Sequence, residues 1–457
     1  MMKQKAQKQL RVGLIAMSGV RACDRELLAL GLTLPGFVER SETIASLPSL
    51  GLITLASLSP DWCEVSYHEV DQIDDWSLDE MDSFDVIAIS TFTAQVKEAY
   101  VLCERLKNHG VQYVVMGGLH ATSLPDEALQ FCDSVIVGEG ELVWKQMLVD
   151  ARDRCLKSKY RASQPFDLAD APMPAYELLD IQRYNRLTVQ TSRGCPFKCE
   201  FCASSILLTD KYKQKPMEKV LAEVDKICEL WKRPFIEFAD DNSFVNRGYW
   251  KKLLPELAKR KVKWFTETDL SVAWDDELLD LMRMSGCAEV LIGLESPSID
   301  GLNGLETKGN WKAKQLGRYQ EGITKIQSAG IRVNGCFILG LDGHDVGIFD
   351  RVLAFADKLE LYDVQVTYLT PFPGTPLYSR LRREGRLLEE NAWERCTLFD
   401  ITYQPKGMSC EQLRAGFHQL VKELYSEENT SLRRDRFKHK YRQASRSRLR
   451  NVSHLKV

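Results

Sequence analysis

Cys195, Cys199 and Cys202 fall within eight residues, in the run Thr191-Ser192-Arg193-Gly194-Cys195-Pro196-Phe197-Lys198-Cys199-Glu200-Phe201-Cys202. This C-x3-C-x2-C spacing lets three thiolates converge from one loop, and Gly194 and Pro196 suit a tight bend after a strand. Thiolates are soft ligands of the kind that iron–sulfur clusters take. An ordinary thiol has a pKa of about 8.5, so metal binding must drive off its protons. Three local ligands leave one iron of a four-iron cluster open to a small molecule, which is a catalytic arrangement. A structural zinc site needs a fourth ligand, and neither His120 nor a remote cysteine has suitable spacing. Most of the other cysteines, such as Cys132, Cys287 and Cys336, are scattered singly in apolar contexts and read as small core residues.

Further polar groups follow at intervals. They are Phe238-Ala239-Asp240-Asp241-Asn242, Thr268-Asp269, Gly293-Leu294-Glu295-Ser296, the run Gly335 to Gly340, and Thr370-Pro371-Phe372-Pro373-Gly374-Thr375-Pro376-Leu377. Acids at a strand end can hold an ammonium through charge-assisted hydrogen bonds. Taken singly, Asp240-Asp241 could cap a helix and Glu295-Ser296 before Pro297 could be a turn. Ahead of the cysteines, Ser90-Thr91, Gly117-Gly118-Leu119-His120 and Gly138-Glu139-Gly140-Glu141 each follow an apolar run. Glycines there let backbone approach a bulky ligand closely.

The elements that must position these residues alternate between strand and helix. Strands are expected at 12–16, 64–69, 86–90, 113–116 and 134–137. Helices are expected at 49–57, 95–108, 125–131 and 141–151. Short apolar runs alternating with helices predict a parallel sheet wound on both faces, with ligands at the carboxyl ends of its strands. Residues 152–187 turn polar and proline-bearing and read as a linker. A second series has strands at 188–191, 235–239, 264–269, 289–294, 332–339 and 363–369. Six such strands with right-handed crossovers could close most of a barrel.

The fold class is therefore α/β: a Rossmann-like domain at 1–151, a partial (β/α)6 barrel at 188–380, and a helical region at 381–430. The basic segment 431–457 is expected to be solvated or disordered. Length suits two or three domains, and 44% apolar residues suffice for real cores. A net charge of −3 gives no sign of a nucleic-acid binder. No apolar run reaches the roughly 18 residues of a membrane span, and no secretory stretch follows the basic N-terminus, so the cytoplasm is expected.

The cysteine motif with an aromatic before its last cysteine resembles the radical S-adenosylmethionine (SAM) superfamily, and the later groups match in order and spacing. The resemblance covers nearly all of residues 11–400 and implies a [4Fe–4S] cluster on Cys195, Cys199 and Cys202. It places SAM against Phe201, Asp240, Asp241, Asn242, Asp269, Glu295, Ser296 and Gly340. The first domain resembles the cobalamin-binding domain of the class B methyltransferases, which implies cobalamin against Ser90, Thr91, Gly117, Gly118, Gly138, Glu139 and Gly140. The cobalt-ligating D-x-H-x-x-G motif is absent, as it commonly is in that branch. The resemblance implies methylation of an unactivated carbon of a small molecule, with an electron donor such as flavodoxin or ferredoxin and no nucleic-acid partner. A cyclase, oxidase or ring-contracting enzyme of the same architecture is the alternative. Methylthio transfer to tRNA fits less well, because Cys23, Cys63 and Cys103 lack the contexts for a second cluster.

Overall fold

The computed structural model describes residues 9–29, 47–74, 77, 83–207, 209 and 211–454. Residues 1–8 and 30–46 of the expected first domain, and 455–457 of the basic segment, lie outside the described residues.

Six parallel strands form the first sheet: β1 (Leu10–Met17), β2 (Cys63–Val70), β3 (Val86–Ser90), β4 (Tyr113–Gly117), β5 (Ser134–Val137) and β6 (Lys159–Arg161), in the order β2-β1-β3-β4-β5-β6. Successive side chains point to opposite faces of a strand. Leu10, Val12, Leu14 and Ala16 pack with Leu52, Trp144 and Met147. Ile15 and Met17 pack on the other face with Val96, Leu102 and Leu106. Both faces of the sheet are thus covered, which is why the strands read as apolar runs rather than alternating ones. Chain order reverses between β1 and β3, and such a switch point opens a crevice at the carboxyl ends.

The second sheet holds β7 (Leu187–Val189), β10 (Phe235–Phe238), β11 (Lys263–Thr268), β12 (Cys287–Glu295), β13 (Arg332–Leu339) and β14 (Asp363–Tyr368). Its order, β14-β13-β12-β11-β10-β7, is sequential and all parallel. Every crossover moves one strand along in the same direction, and the inward residues of β11 to β14 surround one cavity, as in a partial barrel. Between β7 and β10, β8 (Ser192–Arg193) pairs antiparallel with β9 (Lys213–Gln214) and brackets the cysteine loop.

Three expectations change. The 152–187 stretch contributes β6, an edge strand of three residues that is too short for a periodic signal. The same stretch buries Tyr176, whose hydroxyl donates to the Thr188 carbonyl, so it is packed rather than a free tether. The 381–430 region is helical over Cys410–Leu424, but 384–409 is largely turns. Trp393 there is buried in the first domain's core beside His120. Phe399 is likewise packed.

The basic segment is not loose. Glu427–His454 is one helix. Phe437 and Tyr441, one turn apart, stack on each other, and Phe437 meets Tyr362. Buried Arg433 and neighbouring Arg434 lie close to the Asp363 carboxylate at the foot of the barrel. The high charge of this segment hid its narrow apolar edge. Among the described residues, no helix is long and apolar enough to cross a membrane.

Candidate functional site

The cysteine loop is held by fitted backbone. Gly194 has φ +92°, and a Cβ there would lie 2.9 Å from the Lys211 carbonyl oxygen, so only glycine fits. The Gly194 N–H donates to Asp241 Oδ2 at 2.6 Å. On its far side the loop is stitched to the segment after β12. Glu200 N–H donates to the Leu305 carbonyl at 3.0 Å, and Thr307 N–H to the Lys198 carbonyl at 2.9 Å. Arg380 grips both oxygens of Glu200, at 2.6 and 3.0 Å.

Cys195, Cys199 and Cys202 line one wall of a cavity of about 300 Å³ at the barrel mouth. Burial raises Cys195 and pushes Cys199 up to about 12, so as free groups they remain thiols. Only a bound metal would favour the thiolates. Among the described residues, no three such side chains converge on a point that one metal ion could fill. A four-iron cluster spreads three thiolates over three irons, so it fits this donor set better than a lone ion does.

Phe201, Asp241, Asn242, Asp269 and Glu295 line the same cavity. Asn242 Nδ2 donates to Asp269 Oδ2 at 2.9 Å and lies 3.8 Å from Cys195 Sγ. Glu295 sits at φ +62°, a costly conformation for a side-chain-bearing residue. Lys312 Nζ meets its Oε1 at 2.7 Å and the Gly293 carbonyl at 2.8 Å. A Cβ at Gly293 would lie 2.3 Å from Glu295 Oε1, so a side chain there would displace the Glu295 carboxylate from Lys312.

Three expected SAM contacts sit behind this surface. Asp240 is 3% exposed and accepts from Thr191 N–H, Thr191 Oγ1, Ser192 N–H and Ser243 Oγ. Both oxygens are occupied, by two backbone N–H groups just ahead of the cysteines and by two hydroxyls. Ser296 is buried against His344 Nε2 at 2.9 Å. Gly340 has φ +89° and accepts the Tyr403 hydroxyl. These residues shape the wall rather than face the cavity.

Two cavity residues carried no motif. Burial alone would lower Lys312, but Glu295 and Cys199 beside it raise it, so it stays charged. Glu267 faces the open lumen, where enclosure by the barrel and the nearby Glu237, Asp241 and Glu295 push it up to about 7. Lys312 stands alone in the sequence and Glu267 just precedes the Thr268-Asp269 group, and the barrel brings both to the cysteines.

A second hollow, about 320 Å³, opens at the carboxyl ends of β3 to β5. Ser90, Gly117, Gly118, Gly138, Glu139 and Gly140 line it. Gly118 has φ +96°, and a Cβ there would crowd Ser90 Oγ at 3.3 Å. Thr91 does not reach this crevice, because its hydroxyl donates to the Phe92 carbonyl. The Glu139 carboxylate points away to Arg193 and Lys213. The barrel closes the other side with Gln190, Arg193, Lys215 and Ala239. Ala239 belongs to the crevice and Asp241 to the cysteine cavity, so the two hollows adjoin across that turn.

His344 makes the wall sensitive to acid. Burial, aided by Arg351, lowers it to about 4 from an ordinary value of 6.5. The unfolded chain therefore takes up a proton that the folded one refuses. This stability is complete above pH 6.5 and falls as the pH drops toward 4. Between pH 6.5 and 5 the loss is about 2 kcal/mol. Denaturant midpoints of the wild type and His344→Gln at both pH values check this. A difference between them that does not change with pH would refute it.

Comparison with known proteins fits this geometry. The family model described as the radical SAM superfamily matches residues 189–356, and that of the B12 binding domain matches residues 45–147. A domain of unknown function, DUF4070, matches residues 375–456. The chain is 34% identical over 354 residues to an uncharacterized methyltransferase of Synechocystis sp., covering 76% of this chain and 65% of that protein. It is 29% identical over 383 residues to the bacteriochlorophyllide d C-12(1)-methyltransferase of Chlorobaculum tepidum, covering 82% of each. In fold it is similar to the radical SAM methyltransferase TsrM from Kitasatospora setae, solved with cobalamin and a [4Fe–4S] cluster bound. The TM-score is 0.66 at 14% identity, covering 91% of this chain and 88% of that one.

Proposed function

The chain belongs to the radical SAM superfamily, with a B12-binding domain ahead of its radical SAM domain, and on that premise we propose that it methylates an unactivated carbon of a small-molecule substrate. The observation that carries this reading is the adjacency of the two hollows across Ala239–Asp241, one lined by three cysteines and the other by bare glycine turns. Carbon methylation is also what the name of the Chlorobaculum relative states for its own substrate. When bound, the cofactors supply reductive cleavage of SAM to a 5′-deoxyadenosyl radical and a transferable methyl group.

The chain's own residues bind, orient and exclude water. Cys195, Cys199 and Cys202 serve as the cluster's thiolate ligands, and Asn242 donates to the Cys195 sulfur. Asp241 and Asp269 would hold the SAM ammonium, Glu295 the ribose and Phe201 the adenine. Lys312 is held by Glu295 with its charge beside Cys199, which favours an anionic group at the cavity wall. Ser90, Gly117, Gly118, Gly138 and Gly140 offer a surface without side-chain bulk to cobalamin. The crevice side of the first domain lies against the barrel at Gln190, Arg193, Lys215 and Ala239, where it would keep water from the path between the two hollows. A flavodoxin- or ferredoxin-like donor in the cytoplasm would provide the electron.

The test is turnover with SAM labelled in its methyl group, on enzyme prepared without oxygen and loaded with iron, sulfide and cobalamin. Label on carbon in the product supports the reading. A product without label removes methyl transfer and leaves a cyclase or oxidase outcome.

A further inference from the structure

We propose that Arg193 and Lys213 are positioning residues that latch the cysteine loop to the rim of the cobalamin crevice and so set the separation of the two cofactors. This rests on the cofactor reading above. The two residues are cross-strand neighbours in the β8–β9 hairpin. Side by side, like charges repel, and such a pair is destabilising unless an acid lies between them.

Glu139 is that acid. Its Oε1 takes Arg193 Nη1 at 2.7 Å, and both of its oxygens take Lys213 Nζ at 2.7 Å. Its Oε2 also accepts the Phe166 N–H at 2.9 Å. Glu141 Oε1 takes Arg193 Nη2 at 2.8 Å, and Gln190 Oε1 lies within reach of Nε and Nη2. Exposures run from 8% for Glu139 to 15% for Arg193, so water screens the network little. Burial alone would raise Glu139, but Lys213, the Phe166 N–H and Arg193 together hold it below the usual carboxylate range.

The latch joins two glycine-bearing turns. On one side, Glu139 and Glu141 alternate with Gly138, at φ +82°, and Gly140 in the turn that forms the crevice rim. On the other, Gly194 joins Arg193 directly to Cys195. Its N–H is tied to Asp241 and it has no room for a Cβ, and with one residue between them a backbone shift at Arg193 is passed toward Cys195. The acids that follow β5 thereby control where the first cysteine stands relative to the crevice. A misplacement of about 1 Å in a reacting geometry can cost on the order of 100-fold in rate. The latch accounts for an arginine that lines the crevice while its side chain donates to Glu139, Glu141 and Gln190.

The test uses the full chain loaded with cluster and cobalamin, with iron and corrinoid quantified first. The cluster is reduced and the cobalt brought to Co(II), and the magnetic interaction between the two spins is read by pulsed EPR. Wild type should give one narrow distance. Arg193→Gln and Glu139→Gln should shift or broaden it, and Arg193→Lys, which keeps the charge but not the fork, should fall between. If Arg193→Gln fails to load a cluster, Glu141→Gln removes one arm of the latch from the opposite domain and should give a smaller broadening. Loaded variants with the wild-type distance would overturn the latch alone. Wild-type chain that takes up no cobalamin would overturn the cofactor reading and the latch with it.

Discussion

Replacing Cys199 with alanine takes SAM cleavage to background and removes the iron, while cobalamin uptake is retained. Cys199 is 8% exposed and held in a segment whose backbone is bonded to residues 305–307 on one side, so the loop has little freedom to offer a substitute. Cys336 lines the same cavity, but the charged groups around it are Glu295, Glu267 and Lys312 rather than the other thiols. It stands on β13 in the barrel wall and cannot follow the loop. Two thiolates and no replacement leave the cluster without a full ligand set. The expected loss in 5′-deoxyadenosine formation is about 10⁶-fold or more, the low end of what enzymes contribute over uncatalysed reactions. None of the three cysteines lines the crevice, so corrinoid should still bind. The measurements are iron content, 5′-deoxyadenosine by chromatography and corrinoid absorbance on the same oxygen-free preparation. Cleavage surviving in Cys199→Ala would sink the assignment of the motif.

The second large effect concerns Asp240, and it separates a residue that builds the site from one that touches the ligand. Asp240→Ala strips the acceptor from four donors, two of them backbone N–H groups directly ahead of the cysteine loop. Leaving such donors buried and unpaired costs about 1–3 kcal/mol each. A net loss on the order of 3–5 kcal/mol is expected, with failure to hold a cluster. Asp240→Asn keeps one oxygen for the Thr191 and Ser192 N–H groups and turns its amide to two hydroxyls that can accept. It should load a cluster and bind SAM with near wild-type affinity, whereas Asp241→Asn should weaken SAM. The checks are melting temperature, iron content and SAM affinity for all three variants. A well-folded Asp240→Asn that loses SAM affinity more than about 10-fold, some 1.4 kcal/mol, would return Asp240 to direct contact.

Much of the architecture was legible because its signals are local. The strands at 86–90, 134–137 and 332–339 appear with the bounds expected from their apolar runs. Buried parallel strands are continuous in hydrophobicity, and that is a property of the chain alone. The three cysteines are also local, since eight residues hold the whole donor set. β6 was missed because three residues carry no period, and the final helix because its charge outweighs two aromatic residues one turn apart.

What the sequence by itself determined was therefore the chemistry on offer: three thiols in one loop, acids at strand ends and glycines where a bulky ligand must approach. Tertiary structure decided which of these groups face a ligand. Asp240 and Asp241 are neighbours in the chain and both accept hydrogen bonds around the cysteine loop, yet Asp240 is buried behind the wall and Asp241 lines the cavity. Glu139 sits between two crevice glycines but is turned to Arg193 by a hairpin 54 residues away. Lys312 joins Glu295 only because the chain after β12 folds back over the cysteine loop. Hydrogen bonds and ion pairs are short-range, so which partner a polar side chain takes depends on what the fold delivers within about 3 Å of it.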